Sequence, residues 1–352
     1  MKKTTILTLH FYNNFGSVLQ AYALRRTLEK AGYQADILPY RPRLPEYTYF
    51  QDQDLQKAYT EKCSKFVEFR CRALSMAEDT KWTDKQWQDY DAYIVGSDIV
   101  WGKEFSGLDP AYFLDFVPDS KWKIAYAASV ILTKDGKTED DVLFAKQIPF
   151  FDAVSVRETS SVACIQRFTT REVTAVLDPT LLLTQEEYAP LEIEIKEAQE
   201  RPYLLSYFLT HDPAEVDYTN SIAKKLGRRV IHYFADYPAR VFPEDAGCFA
   251  FAGPGEFLSY VKNAACVFTN SFHGTCFAMI YRKPFYTYMA KRAMLSRVRD
   301  TVVRLGMEDR FFSDFRDLAK VSLEIDYSEL EARLPQEQRK SLVFLTKALE
   351  AE

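Results

Sequence analysis

Short apolar runs in this chain are joined by helical periodicity rather than by tight turns, and that alternation restricts the fold more than any other feature. Ile6–Leu9 leads into the polar loop Tyr12-Asn13-Asn14-Phe15-Gly16-Ser17. A helical stretch follows, with Leu24, Leu28 and Ala31 one turn apart and a stop at Gly32, and then a second apolar run, Ala35–Leu38, closed by Pro39. Parallel strands need a crossover, usually a helix, so this order is a βαβ unit. Further strands are predicted at 92–95, 123–128, 153–156 and 173–177, with helices over 52–76 and 139–148. The stretch 41–50, with its prolines and aromatics, reads as an exposed loop.

The alternation stops in a polar, Glu-rich stretch at 185–201 and then restarts. Strands are expected at 203–208, 229–233, 265–268 and 285–287, with helices at 213–226, 255–263, 273–281 and 293–305. Ser328 and Glu331 form a capping box that opens a C-terminal helix, with an interruption expected at Pro335. Two doubly wound parallel sheets follow: an N-terminal domain over 1–190 and a C-terminal domain over 191–352, whose last helix is free to pack back on the first domain. In such sheets ligands bind beyond the carboxyl ends of the strands, so the cleft between the halves is the expected site.

Composition narrows the function. The 352 residues carry 45 Lys plus Arg against 50 Asp plus Glu, a net charge of −5, which argues against nonspecific nucleic-acid binding. Six cysteines without a C-x-x-C pair and four histidines without ligand spacing give no metal site, and they fit reduced thiols in the cytoplasm. No apolar run is long enough to span a bilayer, and the N-terminal apolar segment reads as a strand rather than a signal peptide. Neither G-x-G-x-x-G nor a Walker loop is present.

The polar motifs lie just after predicted strands. Asn14, Gly16 and Ser17 open the first helix, where free N–H groups suit an anion and where Asn14 or Ser17 equally serves as a cap. Ser97 and Asp98 end the strand at 92–95, and Asp98 can act as a base or cap a helix. Arg157 and Glu158 end the strand at 153–156. The Arg157 fork can clamp a carboxylate or phosphate, or pair internally with Glu158 or Asp178. Asn270, Ser271, His273, Gly274 and Thr275 form a loop and helix start with an imidazole at its mouth, placed as a general acid or equally as a histidine hydrogen-bonded in the core, with Gly274 and Thr275 keeping that mouth open. Lys291, Arg292, Arg297, Arg299 and Arg304 form a basic cluster on an amphipathic helix, suited to phosphate, to an anionic membrane surface or to a solvated face. Among the other histidines, His10 is best placed for a site role because it ends the first strand.

Together these pieces resemble the polysaccharide pyruvyl transferase family: N-N-F-G-S-V-L-Q-A-Y-A-L at 13–24, Y-D-A-Y-I-V-G-S-D at 90–98 with Trp101, A-Y-A-A-S at 125–129, S-V-R-E at 155–158, D-P-T-L-L-L at 178–183 and T-N-S-F-H-G-T at 269–275, with His273, Ala278 and Pro284 in the spacing H-x4-A-x5-P. The resemblance implies a GT-B-like fold of two Rossmann-like domains facing a cleft. It implies transfer of a pyruvyl group from phosphoenolpyruvate, as donor substrate and without a cofactor, to hydroxyls of a sugar or lipid-linked oligosaccharide acceptor. The product would be a pyruvate ketal on an exopolysaccharide or capsule precursor. Carried over by position, Arg157 anchors the donor and His273 is catalytic. Ser271 stands where many members have an Arg, so the missing cation is expected from Arg297, Arg292 or Lys291. Asp98 or Glu158 would be the base. A lipid-linked acceptor would bring peripheral contact with the inner face of the membrane. Two other readings stay open: a GT-B nucleotide-sugar glycosyltransferase, with Glu256 as ribose contact, and a non-catalytic glycan-binding member.

Overall fold

The computed structural model describes residues 2–41, 53–76, 88–131, 139–209, 213–234, 247–248, 252–288, 292–313 and 321–350. The expected loop beyond Arg41, and Lys291, lie outside these residues. The first half comprises β1 (Lys3–Leu7), α1 (Phe15–Lys30), β2 (Gln34–Ile37), α2 (Gln53–Ala73), β3 (Ala92–Val95), α3 (Lys103–Ser106), β4 (Trp122–Ala128), α4 (Glu139–Gln147), β5 (Ala153–Val156), α5 (Thr159–Gln166) and β6 (Val173–Ala175). Two short helices, α6 (Gln185–Tyr188) and α7 (Lys196–Glu200), carry the chain to the second half. There follow β7 (Tyr203–Phe208), α8 (Pro213–Leu226), β8 (Arg229–Phe234), β9 (Gly247–Cys248), α9 (Pro254–Asn263), β10 (Cys266–Thr269), α10 (Phe272–Ile280), β11 (Phe285–Tyr288), α11 (Arg292–Arg304), β12 (Phe311–Phe312) and α12 (Ser328–Glu350).

Two six-stranded parallel sheets result, in the orders β2-β1-β3-β4-β5-β6 and β12-β11-β10-β7-β8-β9. In each sheet the order reverses once, between β1 and β3 and between β7 and β10. Those switch points leave a crevice at the carboxyl ends of the strands. β3 and β7 are buried along their whole length, as strands covered by helices on both faces must be.

The first strand begins earlier than its apolar run, because Thr4 and Thr5 are buried and the Thr4 hydroxyl donates to Gln34 O at 2.9 Å. The edge strands β9 and β12 are two residues each, too short to leave a pattern in the sequence. Pro335 does not interrupt α12. Leu330 on one side of it and Ser341, Leu345 and Leu349 on the other are buried, so packing holds the helix through the missing N–H. α12 lies against the first domain: Leu177 N donates to Ser341 Oγ at 2.9 Å, Gln338 Nε2 to Leu181 O at 2.7 Å and Lys2 Nζ to Leu349 O at 2.8 Å.

The two domains share one apolar core. Phe15, the first residue of α1, stacks on Phe257 of α9 with ring centroids 4.4 Å apart, and it also meets Tyr233, Phe66 and Tyr207. On one flank Lys65 of α2 reaches Glu256 of α9 at 2.8 Å. The polar residues that follow β1, β3, β5, β6 and β10 gather beside this aromatic contact.

Candidate active site

Asp178, in the turn after β6, is the centre of the cluster. Its Oδ1 accepts from Thr180 N at 3.0 Å and from the Thr180 hydroxyl at 2.7 Å. Its Oδ2 lies 2.9 Å from Ser97 Oγ, 3.1 Å from Arg157 Nη1 and 3.6 Å from His273 Nε2. The last distance is too long for a hydrogen bond but short enough for a strong field on the imidazole. Burial pushes the Asp178 carboxyl upward, and His273 and Arg157 outweigh it, holding the group well below the usual carboxylate range.

Arg157 uses Nε on Glu158 Oε1 at 3.0 Å and Nη1 on Asp178, and its guanidinium lies over the Phe272 ring at 3.9 Å. It is only 2% exposed. Burial alone would weaken its charge, but Glu158 and Asp178 reverse that and hold it protonated. A guanidinium shared between two carboxylates has no surplus charge, so Arg157 by itself is no anchor for a doubly negative guest. The internal pairing open at the level of sequence is the one the fold adopts, with Nη2 left over. Glu158 Oε1 also accepts from the Ser129 hydroxyl at 2.7 Å, while its Oε2 is buried without a partner among the described residues.

His273 is the second residue of α10, whose N-cap is Ser271, accepting from Gly274 N at 3.2 Å. The imidazole is 7% exposed and packs on the first turn of α1. A Cβ added to Gly16 would stand 2.0 Å from His273 Nδ1, so only glycine admits the ring. Asn14 caps α1 by accepting from Ser17 N at 3.2 Å, and Ser17 Oγ donates to Asp98 Oδ2 at 2.7 Å. Asp98 is 6% exposed and sits at φ 66°, a left-handed conformation that turns the chain sharply after β3. The positive ends of two helices, one from each domain, thus meet beside one imidazole.

Arg297, on α11, joins this group. It is 5% exposed; its backbone carbonyl accepts from the Thr301 hydroxyl at 3.5 Å, while its guanidinium has no hydrogen bond or ion pair among the described residues. Burial, and then Arg157, lower its proton affinity, while Glu158 and Asp98 partly restore it. Arg304 on the same helix donates to Arg157 O at 3.2 Å and pairs with Glu337 of α12, and Arg299 is exposed. The basic helix therefore turns Arg297 and Arg304 inward and leaves Arg299 outside. Arg292 opens α11.

Other expected residues stand elsewhere. Asn270 accepts from Leu209 N at 2.7 Å and braces Glu215. Thr275 bonds Thr287 at 2.7 Å inside the core, and Gly274 seats α10 on β10, where a Cβ would strike Thr269 Oγ1 at 2.5 Å. Neither holds a mouth open. His10 is fully buried, bound to Leu38 O at 2.9 Å and driven down to about 3 by burial, so it is a neutral core residue. Trp101 is buried among Phe113, Phe144 and Phe151. Glu256 binds Lys65 and its own helix's Gly253 N, which leaves it committed away from any ribose. Reading the sequence missed Asp178 as a site residue. Its signal was an acid three residues beyond a strand, the same position that drew attention to Asp98. Among the described residues no three His, Cys, Asp or Glu side chains gather as a metal site, and no helix is long and apolar enough to cross a membrane.

Two doubly wound domains with their switch points turned to a common polar cluster define a GT-B-like protein. UDP-GlcNAc 2-epimerase from Rickettsia bellii superposes with a TM-score of 0.56 at 10% identity, covering 99% of this chain and 96% of its own. The Methanocaldococcus jannaschii UDP-GlcNAc 2-epimerase gives 0.51 at 12%, covering 100% of both. The glycosyltransferase SnogD from Streptomyces nogalater matches at 10% identity over 99% of each chain with a TM-score of 0.44. At such identities the likeness to the two epimerases is one of fold alone. No curated protein matches the sequence. The chain belongs to the polysaccharide pyruvyl transferase family, whose signature matches residues 14–289.

Proposed function

We propose that the protein transfers a pyruvyl group from phosphoenolpyruvate to hydroxyls of a cell-surface polysaccharide precursor, closing a cyclic ketal and releasing phosphate. The observation that carries this reading is His273 and Arg157 meeting on one buried carboxylate, Asp178, within a family of pyruvyl transferases. Asp178 Oδ2 stands 3.6 Å from His273 Nε2 and fixes the side of the cluster from which His273 would deliver a proton to the donor's methylene carbon. That carbon becomes a methyl group and the neighbouring carbon becomes electrophilic. A sugar hydroxyl adds there and gives its proton to Asp98, whose Ser17 contact fixes the carboxylate. The C–O bond to phosphate then breaks, and a second hydroxyl closes the ring as its proton passes to the departing phosphate. Glu158 is a weaker base, since Ser129 and Arg157 hold one oxygen and burial shuts in the other.

The occupation of Glu256 by Lys65 and Gly253 speaks against a nucleotide-sugar donor at that residue. The test is phosphate release from phosphoenolpyruvate against a panel of sugar acceptors. His273→Asn is expected to lower kcat about 10²- to 10⁴-fold, as the loss of a general acid does. Unchanged turnover in that variant would remove the proposed acid.

A further inference from the structure

α11 lies on α5 and α10, and so reaches from the second domain onto the first. Residues 297, 300, 301 and 304 form one stripe along it, three and four apart. Asp300 accepts from Thr159 N at 3.2 Å and from the Thr159 hydroxyl. Arg304 binds Arg157 O and Val176 O. The stripe therefore faces the Arg157–Thr159 turn, and Arg297 stands on it two turns before Arg304, close enough to feel the charges of Arg157, Glu158 and Asp98.

A guanidinium has five N–H donors. Leaving them without an acceptor in a buried place is costly, and doing so in the field of a second guanidinium is more so. Arg157 cannot relieve this, because a guanidinium offers no acceptor and its own Nε and Nη1 donate to carboxylates. An anion lying between Arg297 and Arg157 Nη2 supplies the missing acceptor and screens the two cations from each other.

We propose that Arg297 receives the phosphate group of the donor, with Arg157 Nη2 touching the same anion. Only the donor's identity rests on the pyruvyl-transfer reading; the anion site stands on its own geometry. A burial that serves a ligand has a particular signature. The free protein carries the unpaired charge and the bound protein does not, so removing the charge spares one state and weakens the other.

The experiment uses the full chain as wild type, Arg297→Gln and Arg297→Lys. Thermal unfolding is followed with and without inorganic phosphate at constant ionic strength. Wild type should be stabilised by phosphate. Arg297→Gln should unfold at an equal or higher temperature without phosphate and should bind it about 10- to 100-fold more weakly, the effect of losing charged hydrogen bonds. Arg297→Lys should keep part of the affinity. Wild type indifferent to phosphate, Arg297→Gln binding it as wild type does, or a lower melting temperature for phosphate-free Arg297→Gln would each overturn the proposal. Phosphoenolpyruvate turnover by wild type separates the two ideas. Arg297-dependent phosphate binding without turnover upholds the anion site and removes pyruvyl transfer. Turnover that survives unchanged in Arg297→Gln keeps pyruvyl transfer and removes the role of Arg297.

Discussion

Asp178 commits both carboxylate oxygens to protein groups, and His273 takes its place from that carboxylate on one side and Gly16 on the other. Two substitutions separate these influences. Gly16→Ala puts a methyl carbon 2.0 Å from Nδ1 and 2.3 Å from Cγ of His273, so the ring must leave its position while α1, which tolerates Ala well, stays formed. Turnover should fall at least about 100-fold, the share of a misplaced acid, with the far-ultraviolet circular dichroism of wild type retained. Near-normal turnover would mean that His273 acts from another position. Asp178→Asn keeps the shape and deletes the charge. The native carboxyl of Asp178 is held below its unfolded value. Its contribution to stability is therefore complete above the unfolded carboxylate range and is lost as pH falls toward the native value. Urea unfolding at pH 7 should show Asp178→Asn destabilised by about 3–5 kcal/mol, the scale of breaking a buried ion pair. The gap to wild type should narrow between about pH 4 and pH 2. A gap constant with pH would show that hydrogen-bond geometry, not charge, holds the site.

α1, β3, β5 and α10 each deliver their polar residues from the turn after a strand, which is why Asn14, Ser17, Asp98, Glu158 and His273 could be singled out before any fold was known. The order of apolar runs sufficed for every strand but the two-residue edges β9 and β12, because strands buried on both faces leave near-continuous apolar stretches such as Ala92–Val95. What stayed hidden depends on long-range partners. Nothing local distinguishes Arg157 free from Arg157 shared between Asp178 and Glu158, since the former lies 21 residues away. Gly274 and Thr275 looked like an open mouth, yet their environment is set by β7, β10 and β11, and that makes them packing residues. α11 reads as a basic amphipathic helix by composition. Only its seat on α5 reveals that one face points Arg297 and Arg304 at the cluster and leaves Arg299 outside. Pro335 was a sound stop signal that tertiary packing overrode, because Ser341, Leu345 and Leu349 carry the burial of α12 beyond it.

The two sheets would be separable domains if their contact were the polar cluster alone, since such surfaces usually permit relative motion. Phe15 changes that expectation. It begins the helix that carries Gly16 and Ser17, and its ring is buried against Phe66 of its own domain and against Tyr207, Tyr233 and Phe257 of the other. α12 adds a second tie by returning from the C-terminal half to Leu177 and Leu181, and Lys65–Glu256 a third. An apolar contact of this kind couples the two halves energetically, so the chain should unfold in one transition despite its two sheets. Calorimetry of the full chain should show a single endotherm, and Phe257→Ala should move it downward as a unit, with a loss of about 3–5 kcal/mol from the emptied aromatic site. Two endotherms, with only the one belonging to the second sheet shifted by Phe257→Ala, would show that the halves fold independently. The geometry of the cluster would then depend on a movable joint. A single endotherm carries the opposite consequence for catalysis: Gly16, fixed one residue from Phe15, is kept against His273 by the same aromatic contact that holds the domains together.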